Sequence, residues 1–273
     1  MRAFAKARPR EHGARIGRVT ETLSAVEPPD VAVLGGGRPL DIVEQGGTAV
    51  AIAWPGTGSR FRSMHRLELD AGGRTVPMRH ESEAVYFVVA GAGRVGDVAL
   101  QPHHMIYVPR RAPYRFEATE PLVMVGGPCP PDPSLYGEGE RLAADGDGDG
   151  TVRIFDADRE GEPLPMIGKQ VRLVVWPGVG ADIATMNYAI LEPGEENQPH
   201  AHAESDDTIA ILDGRGSIED VTNGMTHDFT AGEVVFVRAG VTHKVKADKG
   251  VHIVSAGGPC PPDYGMLRAL GLV

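Results

Sequence analysis

The chain has 273 residues, in which 37 acidic side chains outnumber 27 Lys and Arg, for a formal net charge of −10. That balance opposes extended contact with a phosphate backbone and excludes nucleic acid as an expected partner. No apolar run approaches a membrane span, and the start Met1-Arg2-Ala3-Phe4-Ala5-Lys6 lacks the apolar core of a secretory signal, so no membrane partner and a cytoplasmic location are expected.

Gly (36) and Pro (22) fall between short β-branched runs, a pattern of many strands and tight turns with few short helices. The basic stretch Arg8-Pro9-Arg10-Glu11-His12-Gly13-Ala14-Arg15 reads as an arm lying across a neighbour or as a flexible tail, and with the first strands it fills residues 1–45. Residues 46–144 follow as a first β domain. It contains Trp54-Pro55-Gly56, Met64 with the strand around Leu67-Glu68-Leu69, the two-faced run Val85-Tyr86-Phe87-Val88-Val89-Ala90-Gly91, and Val108-Pro109 leading into a turn. His103-His104 and the isolated histidines His65, His227 and His252 read as surface or packing residues. Ser134 to Ala144 is expected to form a short helix. Asp145-Gly146-Asp147-Gly148-Asp149-Gly150 then interrupts regular structure and marks a domain boundary near residue 145. The same linker fits a calcium-loop spacing closed by Asp156, although Arg153 lies inside the loop and no second helix follows.

The second domain, residues 145–273, repeats the first. Trp54-Pro55-Gly56 returns as Trp176-Pro177-Gly178, Met64 as Met186, and Gly126-Gly127-Pro128-Cys129-Pro130-Pro131-Asp132 as Gly257-Gly258-Pro259-Cys260-Pro261-Pro262-Asp263. Two copies of one β-barrel are implied. Cys129 and Cys260 hold equivalent places without a Cys or His near them in sequence, so both are expected to be small buried residues rather than a disulfide or a nucleophile.

The chemistry concentrates in Pro199-His200-Ala201-His202-Ala203-Glu204-Ser205-Asp206-Asp207. Two imidazoles at i and i+2 on a strand share a face, and His243 returns from a later strand-like run, so three nitrogens and a carboxylate would converge on an ion. Asp207 is preferred to Asp206 because it alternates with Ile209 and Ile211, which would then face a barrel interior. Gly194, His200-x-His202, Asp207 and Gly214, followed by Gly232, Arg238-x-Gly240 and His243, resemble the two motifs of the cupin superfamily. The family usually has Glu at the Asp207 position, Pro at Arg238 and often Asn at Ala247.

The resemblance implies an all-β protein of two tandem cupin (jelly-roll) barrels, with one divalent transition metal held by His200, His202, Asp207 and His243. Iron(II) is favoured; manganese, nickel, zinc, cobalt or copper would also suit the donors. In the first copy the matching positions are Met78, His80, Ala84 and Tyr114, one donor of four, so that barrel is expected to be metal-free. A relict anion pocket from His80, Tyr114, Arg110 and Arg111 is the alternative there. The implied activity is oxygen-dependent dioxygenation of a small chelating molecule such as an enediol, catechol or hydroxy-ketone. A redox-neutral isomerase, cyclase, hydrolase or decarboxylase is the second reading, with Glu204, Asp206 or Tyr188 moving protons. A non-catalytic small-molecule binder is the third. Two fused barrels further suggest a pseudo-dimer and a possible homodimer of chains.

Overall fold

A computed structural model describes residues 29–273, so the Arg8–Arg15 stretch lies outside the described residues. Within them the chain forms two antiparallel sheets of ten and nine strands, with three 3-10 turns and one short helix, Tyr264–Ala269. Among the described residues no helix is long and apolar enough to cross a membrane.

The duplication is visible in the strand order. The ten-stranded sheet places His104–Val108, Glu83–Ala90, Leu122–Cys129 and Met64–Thr75 side by side. The nine-stranded sheet repeats that order as Val234–Val237, Asp206–Asp220, Ile253–Cys260 and Met186–Leu191. Each copy is a jelly-roll barrel, as the repeat implied.

The long strand Asp206–Asp220 serves both faces of its barrel. Its first half pairs with Val234–Val237 and Ile253–Cys260, and its second half with Met225–Thr230 and His243–Ala247. Gly214 makes the crossing possible. Its φ is +85°, and a Cβ there would stand 1.7 Å from the His252 carbonyl oxygen, so only glycine fits. Gly91 meets the Pro121 carbonyl oxygen in the same way in the first barrel.

Hydrogen bonding crosses the boundary expected near residue 145. Val31–Leu34, from the leading segment, pairs with Val234–Val237 of the second barrel, and Arg153–Asp156 pairs with His104–Val108 of the first. Each barrel thus receives an edge strand from the segment preceding the other, which covers backbone groups that would otherwise stand open. Asp30 secures one exchange: its carbonyl accepts from Arg238 N at 2.9 Å and its carboxylate pairs with the Arg238 guanidinium. That pairing gives Arg238 a role at a position where proline is usual in the resemblance.

One expectation and one alternative reading fail locally. Ser134 to Ala144 does not form a helix; only the 3-10 turn Pro133–Tyr136 forms, ended by Gly137 at φ +83°. The calcium-loop spacing does not gather its carboxylates. The strand Arg153–Asp156 starts inside the template, and Arg79 reaches into the loop to donate to the Ala143 carbonyl at 3.3 Å and to the Asp147 carbonyl at 2.5 Å.

The first barrel is filled by Tyr86, Ile106, Tyr114, Phe116 and Leu122, and the second is lined by Ile211, Ile218, Phe229, Val235 and Ile253. A third apolar cluster lies between the barrels, where Met64 and Met186, Val85 and Phe87, and the unbonded Cys129 and Cys260 meet. The buried Arg62 guanidinium sits beside it, donating to the carbonyls of Thr208, Gly258 and Thr185.

Candidate metal centre

Four side chains singled out in sequence meet inside the second barrel. His200 and His243 form an isolated antiparallel bridge, each backbone N–H donating to the other's carbonyl at 2.9–3.0 Å. His202 lies two residues on, and Asp207 stands near the start of its strand facing the same interior. One nitrogen or oxygen from each of the four lies within 4.8 Å of the others. His202, Asp207 and His243 are 4 %, 5 % and 1 % exposed, so a charge placed there interacts through protein rather than water.

The remaining ring nitrogens determine which atoms face the centre. His200 Nδ1 lies 2.9 Å from the Gln198 carbonyl, His243 Nδ1 3.0 Å from the Val241 carbonyl, and His202 Nδ1 2.8 Å from Asp263 Oδ2. Each of those acceptors fixes the proton on Nδ1 and turns the Nε2 lone pair inward. His202 Nε2, His243 Nε2 and Asp207 Oδ1 are buried without a hydrogen-bond partner. Buried polar atoms are rarely left unsatisfied, and three converging orphans of this chemistry suit a first-row divalent cation.

The carboxylate is prepared for that role. Burial alone would raise the Asp207 carboxyl, but the neighbouring His243, His202 and His200 outweigh it and hold it down at about 2. His243 Nε2 stands 3.4 Å from Asp207 Oδ2; burial would lower the His243 imidazole, but that carboxylate outweighs it and raises it. Burial lowers His200, assisted by His243, which keeps its imidazole neutral and free to bind an ion.

Other expected participants face elsewhere. Asp206 Oδ1 points away from the cluster, accepting from Ala239 N at 3.1 Å and from Arg60 at 3.4 Å. Glu204 is exposed and Tyr188 is on the wrong face of Met186–Leu191 to serve the site. Asn187 and Ala189 line the cavity, whereas Tyr188 stacks on Phe87 of the first barrel with ring centroids 5.3 Å apart. The strand is covered on both faces, so its two-residue period did not reveal which set looks inward.

The first barrel keeps the frame of the site without its donors. Met78 and Tyr114 form the bridge equivalent to His200 and His243. His80 is fully engaged: its Nδ1 is 2.5 Å from Asp132 Oδ2 and its Nε2 is 2.7 Å from the Tyr114 hydroxyl, which continues to the Tyr86 hydroxyl at 2.8 Å. Arg111 pairs with Glu81, and Arg110 extends toward Asp182 at 3.9 Å, so the alternative of an anion pocket there is not supported. Glu83 instead reaches the second barrel and accepts from the backbone N–H groups of Asp182, Ile183 and Ala184.

Asp263 was missed in the sequence, yet a signal existed. It closes the repeated Gly-Gly-Pro-Cys-Pro-Pro-Asp segment, as Asp132 does, and each aspartate holds the one histidine retained in both copies. Contact with His202 helps hold the Asp263 carboxyl below its ordinary range.

A family model described as a cupin domain matches residues 187–256, the span containing all four converging side chains. The structure is also similar to solved structures of oxalate decarboxylase. One, concerned with the Mn(II) centres of the Bacillus subtilis enzyme, has a TM-score of 0.65 at 14% identity and covers 90% of this chain and 80% of its own. Another, concerned with substrate binding and a reaction-specificity switch in oxalate decarboxylase, has a TM-score of 0.64 at 14% identity over 90% and 80% of the two chains. The chain thus carries a match to a cupin domain in its second barrel and shares the two-barrel fold of these structures. No curated protein sequence matches this chain. At such identity the likeness to oxalate decarboxylase establishes the shared fold.

Proposed function

We propose that this bicupin is a metal-dependent oxygenase acting on a small chelating organic molecule in its second barrel. The observation that carries the reading is the convergence of His200, His202, His243 and Asp207 with every Nδ1 engaged elsewhere. When bound, a divalent ion, iron(II) in this reading, supplies Lewis acidity and one-electron chemistry toward dioxygen. The three imidazoles hold it, Asp207 offsets one of its charges, and apolar walls formed by Ile209, Ile211 and Val235 exclude water from the bound substrate.

Oxygenation is preferred because proton transfer lacks a side chain to perform it. Glu204, Asp206 and Tyr188, the groups that would move protons in an isomerase or hydrolase, do not line the cavity. Among the described residues lining it, Asp207 is the only carboxylate, and the four-residue cluster already engages it. Redox-neutral decarboxylation is the second reading, motivated by the fold shared with oxalate decarboxylase.

The test uses protein purified without a histidine tag and loaded with iron(II), manganese(II) or zinc(II). Oxygen uptake with a chelating substrate, dependent on iron and lost in His200→Ala and His243→Ala, is the expected result. Substrate loss at an equal rate without oxygen, or carbon dioxide release from oxalate by the manganese form, would refute oxygenation in favour of the second reading. Unchanged metal content in both histidine variants would remove the site itself.

A further inference from the structure

We infer that the second barrel takes a monoanionic bidentate chelator carrying an apolar body and a hydrogen-bond donor, and disfavours a small dianion such as oxalate. This rests on the metal reading above and specifies the substrate class of the same site. Comparison of the two repeats carries it. Aligning Met64 with Met186, Ala84 with Asp207, Tyr114 with His243 and Gly126 with Gly257 pairs Leu67 with Ala189, Tyr86 with Ile209, Phe116 with Val245 and Met124 with Ser255. At every one of these interior positions the second barrel has the smaller side chain. In the first barrel the large members are buried, and Tyr86, Tyr114 and Phe116 stack edge-on and tilted with centroids 5.0–5.9 Å apart, filling the space. In the second barrel all four small members line a cavity that ends at the metal cluster.

The chemistry of that cavity limits its occupant. Its described lining contains no Lys or Arg. A divalent ion with Asp207 as its only anionic partner retains one positive charge, which one monoanion neutralises. A second carboxylate would be left in an apolar wall without a cation, a costly placement. Arg62 is not among the lining residues, and its guanidinium is engaged by the carbonyls of Thr208, Gly258 and Thr185. The Asn187 side chain supplies the complementary polar point. It is 8 % exposed, it lines the cavity, and its buried Oδ1 has no partner. The equivalent residue of the filled barrel, His65, instead meets the Tyr136 hydroxyl at 2.8 Å. An acceptor left open in this way suits an N–H or O–H donor adjoining the chelating oxygens.

Hydroxamates test this without turnover, because they chelate as monoanions through two oxygens and carry an N–H donor. Zinc-loaded protein, with metal retention checked after dialysis, is titrated calorimetrically with acetohydroxamate, benzohydroxamate and oxalate. Benzohydroxamate is expected to bind at least about tenfold more tightly than acetohydroxamate, from burial of its ring, with oxalate weakest. Ile209→Tyr and Ser255→Met, which reinstate the filling side chains of the first barrel, are expected to remove the benzohydroxamate preference while zinc content stays at the parent level. Asn187→Leu is expected to weaken both hydroxamates about threefold or more and to leave oxalate unchanged. Oxalate binding tightest, or equal affinity for the two hydroxamates, in protein that retains zinc would overturn the substrate class alone. Protein that retains no zinc would overturn the metal site, and this proposal with it.

Discussion

Replacing Asp263 with alanine isolates the contribution of a residue that would never touch the ion. The substitution removes the acceptor 2.8 Å from His202 Nδ1, so the ring can rotate or move its proton to Nε2, the atom that faces the cluster. Loss of such a partner typically weakens metal binding about 10–100-fold, or roughly 1.4–2.8 kcal/mol. Asp263 also caps the terminal helix by accepting from Met266 N at 2.9 Å, and losing a cap costs about 0.5–2 kcal/mol of stability independently of metal. The two effects are separable. Chelator competition reports zinc affinity, and urea unfolding of the metal-free protein reports the cap. Asp132→Ala is the matched control, since Asp132 holds His80 and caps the 3-10 turn Pro133–Tyr136 in the same manner in the barrel that keeps only one of the four donors. It is expected to lower stability and leave zinc affinity unchanged. Equal zinc affinity in Asp263→Ala and parent, or equal weakening by both substitutions, would refute the positioning role.

Burial holds the His65 imidazole down at about 3, aided by His80 and opposed by Asp132. Its unfolded value is near 6.5, so the unfolded chain binds the extra proton between these limits, and stability present above pH 6.5 is lost as pH falls toward 3. The loss reaches about 2–3 kcal/mol by pH 4.5, and His65→Asn should flatten that part of the urea-unfolding profile; an unchanged slope would show the imidazole is not buried neutral. Tyr114→Phe strips the partner from both His80 Nε2 and the Tyr86 hydroxyl, so a loss of about 1–3 kcal/mol with zinc affinity intact is expected from denaturant unfolding. A chain beginning at Gly36 lacks Asp30 and the strand Val31–Leu34, which should reduce hydrogen-exchange protection in Val234–Val237 while Glu83–Ala90 keeps its own. Uniform loss across both sheets would instead indicate that the barrels unfold as one unit.

The amino-acid order alone specified the duplication, the barrel class and the grouping of His200, His202 and Asp207. The duplication shows in repeated segments such as Trp54-Pro55-Gly56 and Trp176-Pro177-Gly178, the barrel class follows from the resemblance of the two motifs, and the grouping depends on short-range periodicity, since i and i+2 on a strand share a face. That the first barrel keeps only His80 of the four donors could likewise be read from Met78, Ala84 and Tyr114 at the other positions. Packing across long separations set the rest. Tyr188 lies on a strand buried on both faces, one by its own barrel and one by the neighbouring barrel, so alternation gave two equivalent choices and the stacking on Phe87 selected between them. The exchanged strands Val31–Leu34 and Arg153–Asp156 are short and carry no mark of their partner; edge hydrogen bonds formed only once both barrels were in place assigned them. Asp263 and His202 lie 61 residues apart and meet because the closing turn of the barrel returns beneath the histidine. Local chemistry therefore named the donors, while contacts that exist only after the two barrels close determined which atoms face the centre and which side chains support them.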